Sequence, residues 1–137
     1  MKIVVIDGQG GRIGSAVVER LIKRAVSCEL LAVGANSMAT AAMMKAGAPD
    51  GATGENPVLV ACASADVIIG PLGIIAANSL HGEITPKMAL SISESRAHKI
   101  LIPVSRCKIE VAGTGSLSLS EYISLAVEAA ADFIKEN

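Results

Sequence analysis

The stretch Asp7–Gly14, DGQGGRIG, packs four glycines into eight residues between the apolar run KIVVI and the helix-like run SAVVERLIKRA. A glycine-rich turn at such a junction suits the holding of a phosphate. Glycine lets the backbone approach an anion closely and tolerates positive φ. The first amides of the following helix point outward, and the helix dipole adds positive potential there. The candidate cofactor loop is therefore Gly8, Gln9, Gly10, Gly11, Arg12, Ile13 and Gly14. Gly8, Gly11 and Gly14 fit G-x-x-G-x-x-G. Gly8 and Gly10 open G-x-G-x-x-G, but Ile13 takes its last glycine position, so the dinucleotide fingerprint is partial. The alternative is a tight turn kept for the fold alone.

A bound adenine ribose is usually held through its 2′-hydroxyl by an acidic residue at the end of the second strand. Here that strand ends Val33-Gly34-Ala35-Asn36-Ser37, with no carboxylate. Asn36, Ser37 and Thr40 could instead meet a 2′-phosphate, with Arg12 pairing to it. This favours NADP over NAD, and it suits a mononucleotide or sugar phosphate equally well. Asn36 and Ser37 also read as helix-capping residues. Gly70-Pro71-Leu72-Gly73 is a second close-approach loop or a proline-initiated turn; Gly70, Pro71 and Gly73 join the cofactor candidates. Thr53, Glu55, Asn56, Asn78 and Glu83 form the expected substrate side. Glu83 and Lys87 make an acid/base pair or an exposed pair at a helix start. Cys107, between Arg106 and Lys108, has cations that lower a thiol pKa but no histidine nearby to serve as base. His81 adjoins a helix-ending glycine and is not read as catalytic. Replacing Gly11 with Val is expected to block a ligand without unfolding the domain.

The elements that position these residues follow from periodicity. Lys2–Ile6 is a β-branched run suited to a strand buried on both faces. Ile13, Val17, Leu21 and Ala25 then mark an amphipathic helix. Leu30–Val33 is a second strand, and Ala39–Ala46 a helix stopped by Gly47. Asp50–Thr53 is a very short strand. Asn56-Pro57 reads as cap and first residue of the next helix. Asp66–Ile69 is the fourth strand, followed by an apolar helix to about Leu80. Thr85-Pro86 starts another helix, and Lys99–Val104 is the fifth strand. Ile109–Ala112 suggests a short sixth. Ser118-Leu-Ser-Glu121 has capping-box spacing before the last helix. Alternating strands and helices imply one α/β domain over residues 1–137: a three-layer, Rossmann-like, doubly wound parallel sheet. The expected strand order is 3-2-1-4-5, with the short sixth strand at an edge. Ligands of such sheets sit beyond the carboxyl ends of the strands.

Composition bounds the rest. The chain has 137 residues, 51% of them hydrophobic, and a net charge of −1. No basic patch suggests nucleic acid. No apolar run reaches the ~18 residues of a membrane span, and no signal peptide is apparent. A bacterial-type cytoplasmic address is the expectation. Cys28, Cys62 and Cys107 are scattered and form no metal or disulfide pattern, so no metal is expected. So apolar a small chain implies a homo-oligomer, with an alanine-rich, well-packed monomer as the alternative.

The chain resembles a family of short, uncharacterised bacterial proteins with a Rossmann-like fold, known as a domain of unknown function. The likeness rests on VIDGQGG (Val5–Gly11), AVGANS (Ala32–Ser37), GATGEN (Gly51–Asn56), IIGPLGI (Ile68–Ile74), NSLHGEITPKMA (Asn78–Ala89), ILIPV (Ile100–Val104) and SLSEYI (Ser118–Ile123). It implies a fold and no activity. The glycine loop alone is also similar to that of the amino-terminal domain of dihydrodipicolinate reductase, whose second domain has no counterpart here. Three functions follow as expectations: a nucleotide or dinucleotide binder, an enzyme on a phosphorylated small molecule, or an interaction module without a ligand.

Overall fold

The computed structural model describes residues 1–104 and 108–137. Its elements run β1 (Lys2–Asp7), α1 (Arg12–Lys23), β2 (Glu29–Gly34), α2 (Ser37–Lys45), β3 (Asp50–Thr53), α3 (Glu55–Ser64), β4 (Val67–Pro71), α4 (Pro86–Glu94), β5 (His98–Ile102) and α5 (Leu119–Glu136). The strands form one parallel sheet in the order β3-β2-β1-β4-β5. This is the expected order.

Strand β1 lies between β2 and β4, with Val5 opposite Ala32 on one side and Ile69 on the other. Helices cover both its faces, which is why its sequence is a β-branched run rather than an alternating one. Ile3 and Val5 join Val17 and Leu21 of α1, Met43 of α2 and Val127 of α5 in one core. Val4 and Ile6 join Val58 of α3 and Met88 and Ile92 of α4 in the other. Each fully buried Ile or Val contributes about 1.5–3 kcal/mol. The alternation has a consequence at the strand's end. Asp7 shares the parity of Ile3 and Val5, so its side chain faces the α1 layer.

Three sequence expectations change. The helix after β3 begins at Glu55 behind Gly54, so Asn56 is not its cap. The expected helix between β4 and about Leu80 does not form, and the next α-helix is α4 at Pro86. A short 3-10 turn (Leu72–Ile75) leads into a looped segment in which Asn78, Leu80 and His81 take φ of 64, 53 and 56. Left-handed residues so close together cannot continue a right-handed helix. The sixth strand at Ile109–Ala112 does not form. Ile109 and Val111 are exposed there, and the chain turns, with Thr114 Oγ1 donating to Val111 O at 2.6 Å. The capping box does form. Ser118 Oγ accepts from Glu121 N at 3.2 Å and Glu121 Oε2 from Ser118 N at 2.7 Å. Among the described residues, no helix is long and apolar enough to cross a membrane.

Candidate functional site

The carboxyl ends of β1 and β4 flank the switch in strand order, and a cavity of about 580 Å³ opens beside them. Residues 8–13 of the glycine loop line one side, with Asp7 beneath and Pro71 of β4 beside it. The rest of the lining is largely apolar and includes Leu80, Pro103, Leu117, Leu119 and Tyr122. The capping box places Leu119 and Tyr122 there by fixing where α5 begins. Tyr122 also steadies the strand-to-helix connection, its phenolic oxygen accepting from Gly115 N at 2.7 Å.

The loop's amides are partly taken by the chain itself. Asp7 is 5% exposed, and its carboxylate accepts from Gly8 N at 2.8 Å and Gly14 N at 2.7 Å. Burial pushes its pKa up. The Gly14, Gly8 and Ile13 amides oppose that, and the nearby Glu83 carboxylate adds to it. Glu83 accepts from Gln9 N at 2.6 Å. The Gly10 and Arg12 amides find no acceptor among the described residues. The Arg12 side chain is exposed at the cavity and forms no ion pair with a described residue. The open anion-facing surface is therefore narrower than the glycine pattern suggests: Gly10, Arg12 and the arginine head.

Two glycines have structural work besides. Gly11 has φ +69, and a Cβ there would lie 2.8 Å from Ala39 Cα and O. A Cβ on Gly14 would meet Met43 Sδ at 2.5 Å and Asp7 Cβ at 2.9 Å. The expectation that Gly11→Val would spare the fold is thus corrected. At Gly10 a Cβ would meet nothing within 4 Å.

The other candidates separate. Pro71 lines the cavity, while Gly70 and Gly73 are buried beneath it; a Cβ on Gly70 would press on the Ile6 carbonyl. Asn36 caps α2, accepting from Ala39 N at 2.9 Å, and Ser37 is the helix's first residue. Thr40 Oγ1 lies 2.7 Å from Thr53 Oγ1 and donates to backbone oxygens. Glu55 accepts from Thr85 Oγ1 at 2.6 Å, and Asn56 lies exposed on α3. None of Thr53, Glu55, Asn56 and Asn78 lines the cavity. Glu83 reaches the loop without lining the cavity. Of the expected substrate side, Glu83 meets the expected cofactor side, accepting from Gln9 N and Asn36 Nδ2, while Thr53, Glu55, Asn56 and Asn78 lie away from the cavity. Ser105, Arg106 and Cys107 lie outside the described residues. Among those described, no cluster of metal-ligating side chains occurs.

The apolar wall and the anchoring role of Asp7 escaped the sequence reading. Strand parity was a usable signal for Asp7. Leu80, Leu117 and Tyr122 come from segments distant in sequence and had none.

No curated protein matches the chain. A solved structure, a dodecameric FMN-dependent UbiX-like decarboxylase from Escherichia coli O157:H7, is similar at 15% identity. It covers 94% of this chain and 75% of its own, with a TM-score of 0.45, too distant to carry an argument about chemistry or assembly. Neither finding supports the likeness to dihydrodipicolinate reductase. A family match spans residues 2–135, and the chain belongs to that family, described as Domain of unknown function (DUF3842).

Proposed function

We propose that the chain binds a nucleotide-type ligand in the cavity beside the glycine loop. The observation that carries this reading is about 580 Å³ of space lined by Gly10 and Arg12, whose amides find no acceptor among the described residues, and by largely apolar side chains. A phosphate meets the Gly10 and Arg12 amides and the Arg12 head. A flat heterocycle lies against Pro103, Leu117 and Tyr122. The cavity's size lies in the range of ligand pockets.

The preference for NADP over NAD rests on the lack of a carboxylate on β2. The fold weakens that preference, because Glu83 supplies a carboxylate beside Asn36 while Thr40 is already bonded. NADP therefore stands as one member of a nucleotide panel. Thermal melting with AMP, FMN, NAD, NADP and inorganic phosphate tests the reading. A ligand at a hundred times its Kd adds about 2.7 kcal/mol to stability. The expected result is a rise with at least one nucleotide, lost in Gly10→Val. No rise with any of them at ~1 mM removes the proposal.

Self-association is a further part of this reading. Val60 on α3 and Leu90 on α4, two helices that share one face of the sheet, are 63% and 57% exposed. Large apolar side chains so open to water favour burial against a second copy.

A further inference from the structure

The glycine loop has two ends, and only one is open. At the end toward β2, Glu83 closes it. One carboxylate oxygen accepts from Gln9 N at 2.6 Å, and the other accepts from Asn36 Nδ2. Asn36 Nδ2 also donates to Gln9 O at 2.9 Å, so the three residues form a closed ring tying the loop to the cap of α2. Leu80 from the same segment lies over Gly8, where a Cβ would fall 2.8 Å from its Cδ1. The segment is itself tied down: Ser79 Oγ donates to the Gly73 carbonyl, and Asn78 N donates to Ile84 O at 2.7 Å. Asn78, Leu80 and His81 hold φ of 64, 53 and 56. Non-glycine residues stay in that region only where their surroundings over-determine them. Beside Gly10 the loop has open space, and the cavity that residues 8–13 line extends to Pro71 of β4.

A dinucleotide laid across such a sheet needs both ends, one nucleotide beside each half of the switch point. Here the β2 half is filled by Leu80 and by a carboxylate that already holds the Gln9 amide. A second phosphate at that end would meet a fixed negative charge and find its donor taken. We infer that Glu83 is the specificity-determining residue of the cavity, limiting it to a single mononucleotide and rejecting dinucleotides, NADP most strongly. The inference rests on the nucleotide reading above.

Calorimetric titration of the wild type, Glu83→Gln and Glu83→Ala with AMP, FMN, NAD and NADP tests it. Glu83→Gln keeps an acceptor for the Gln9 amide while removing the charge and the acceptor for Asn36 Nδ2, so it answers even where Glu83→Ala fails to fold. The wild type is expected to bind a mononucleotide at least about tenfold more tightly than NAD or NADP. In Glu83→Gln the ratio of NADP to mononucleotide affinity rises by about tenfold, the scale of one relieved like-charge contact. NADP gains more than NAD, because it carries the extra phosphate. Equal wild-type binding of mononucleotide and dinucleotide, or an unchanged ratio in the variants, overturns the role of Glu83 and leaves the nucleotide reading standing. No binding of any nucleotide by the wild type or either variant overturns both.

Discussion

Replacing Asp7 tests how the glycine loop is held. Its carboxylate accepts from Gly8 N at 2.8 Å and from Gly14 N at 2.7 Å, and the residue is 5% exposed. In Asp7→Ala both amides lose their acceptor inside the protein. A buried donor left unpaired costs about 1–3 kcal/mol, so the pair costs about 2–6 kcal/mol. Against a typical stability of about 5–15 kcal/mol, that brings the chain close to unfolding. Asp7→Asn keeps the shape and one acceptor. It loses one amide bond but no longer buries a charge, and the two changes oppose each other. The expected order at neutral pH puts Asp7→Asn within about 2 kcal/mol of the wild type and Asp7→Ala well below both.

The pH trend separates charge from shape. Burial raises the Asp7 pKa above the ordinary aspartate value. The folded chain therefore holds this proton more tightly than the unfolded chain does. The stability added by that tighter proton is complete below the ordinary aspartate pKa and is lost as pH rises through the raised one. Asp7→Asn has no such dependence. Urea melts of both proteins across acid to neutral pH should show the wild type losing ground to Asp7→Asn over that window. Two results refute the reasoning: Asp7→Ala as stable as the wild type, or a wild-type advantage over Asp7→Asn that grows with pH.

Gly11→Val should lower the melting temperature, because its Cβ would lie 2.8 Å from Ala39 Cα and O at φ +69. Gly10→Val, with nothing within 4 Å of its Cβ, should melt within ~0.5 kcal/mol of the wild type while losing nucleotide binding. Tyr122→Phe removes the acceptor that Gly115 N meets at 2.7 Å. Hydrogen exchange at Gly115 should quicken, with a stability loss of about 0.5–1.5 kcal/mol. Leu90→Glu together with Val60→Glu should shift the light-scattering mass toward the monomer. An unchanged mass would place the self-contact elsewhere.

The sheet was legible because its sequence signals are local and redundant. Lys2–Ile6 and Leu30–Val33 are apolar on both faces, and the helices after β1 and β2 carry their own stripes and stops. Ser118 and Glu121 announced the start of α5 by spacing alone. The segment after β4 was misread for a physical reason. Its apolar residues, Leu72 to Ile75, look like a helix face. But Ser79 and Asn78 divert the chain into bonds with Gly73 and Ile84. Ile109–Ala112 has strand-like composition but pairs with no strand among the described residues, and its apolar side chains remain exposed.

The site was legible only in outline, and the reason lies in what a glycine pattern encodes. Glycines between a strand and a helix specify a backbone that presents amides; they do not specify what occupies those amides. Here one occupant, Asp7, is adjacent in sequence and faces inward by strand parity. The other, Glu83, arrives from 74 residues away in the chain and depends on a turn with left-handed residues. Local periodicity carries no trace of such a contact. Asp7 thus meets amides at the start of α1, and Glu83 the Gln9 amide of the loop before it, ahead of any ligand. The remaining opening, Gly10 to Arg12, is what a ligand can use, and its position decides on which side of the loop that ligand must lie.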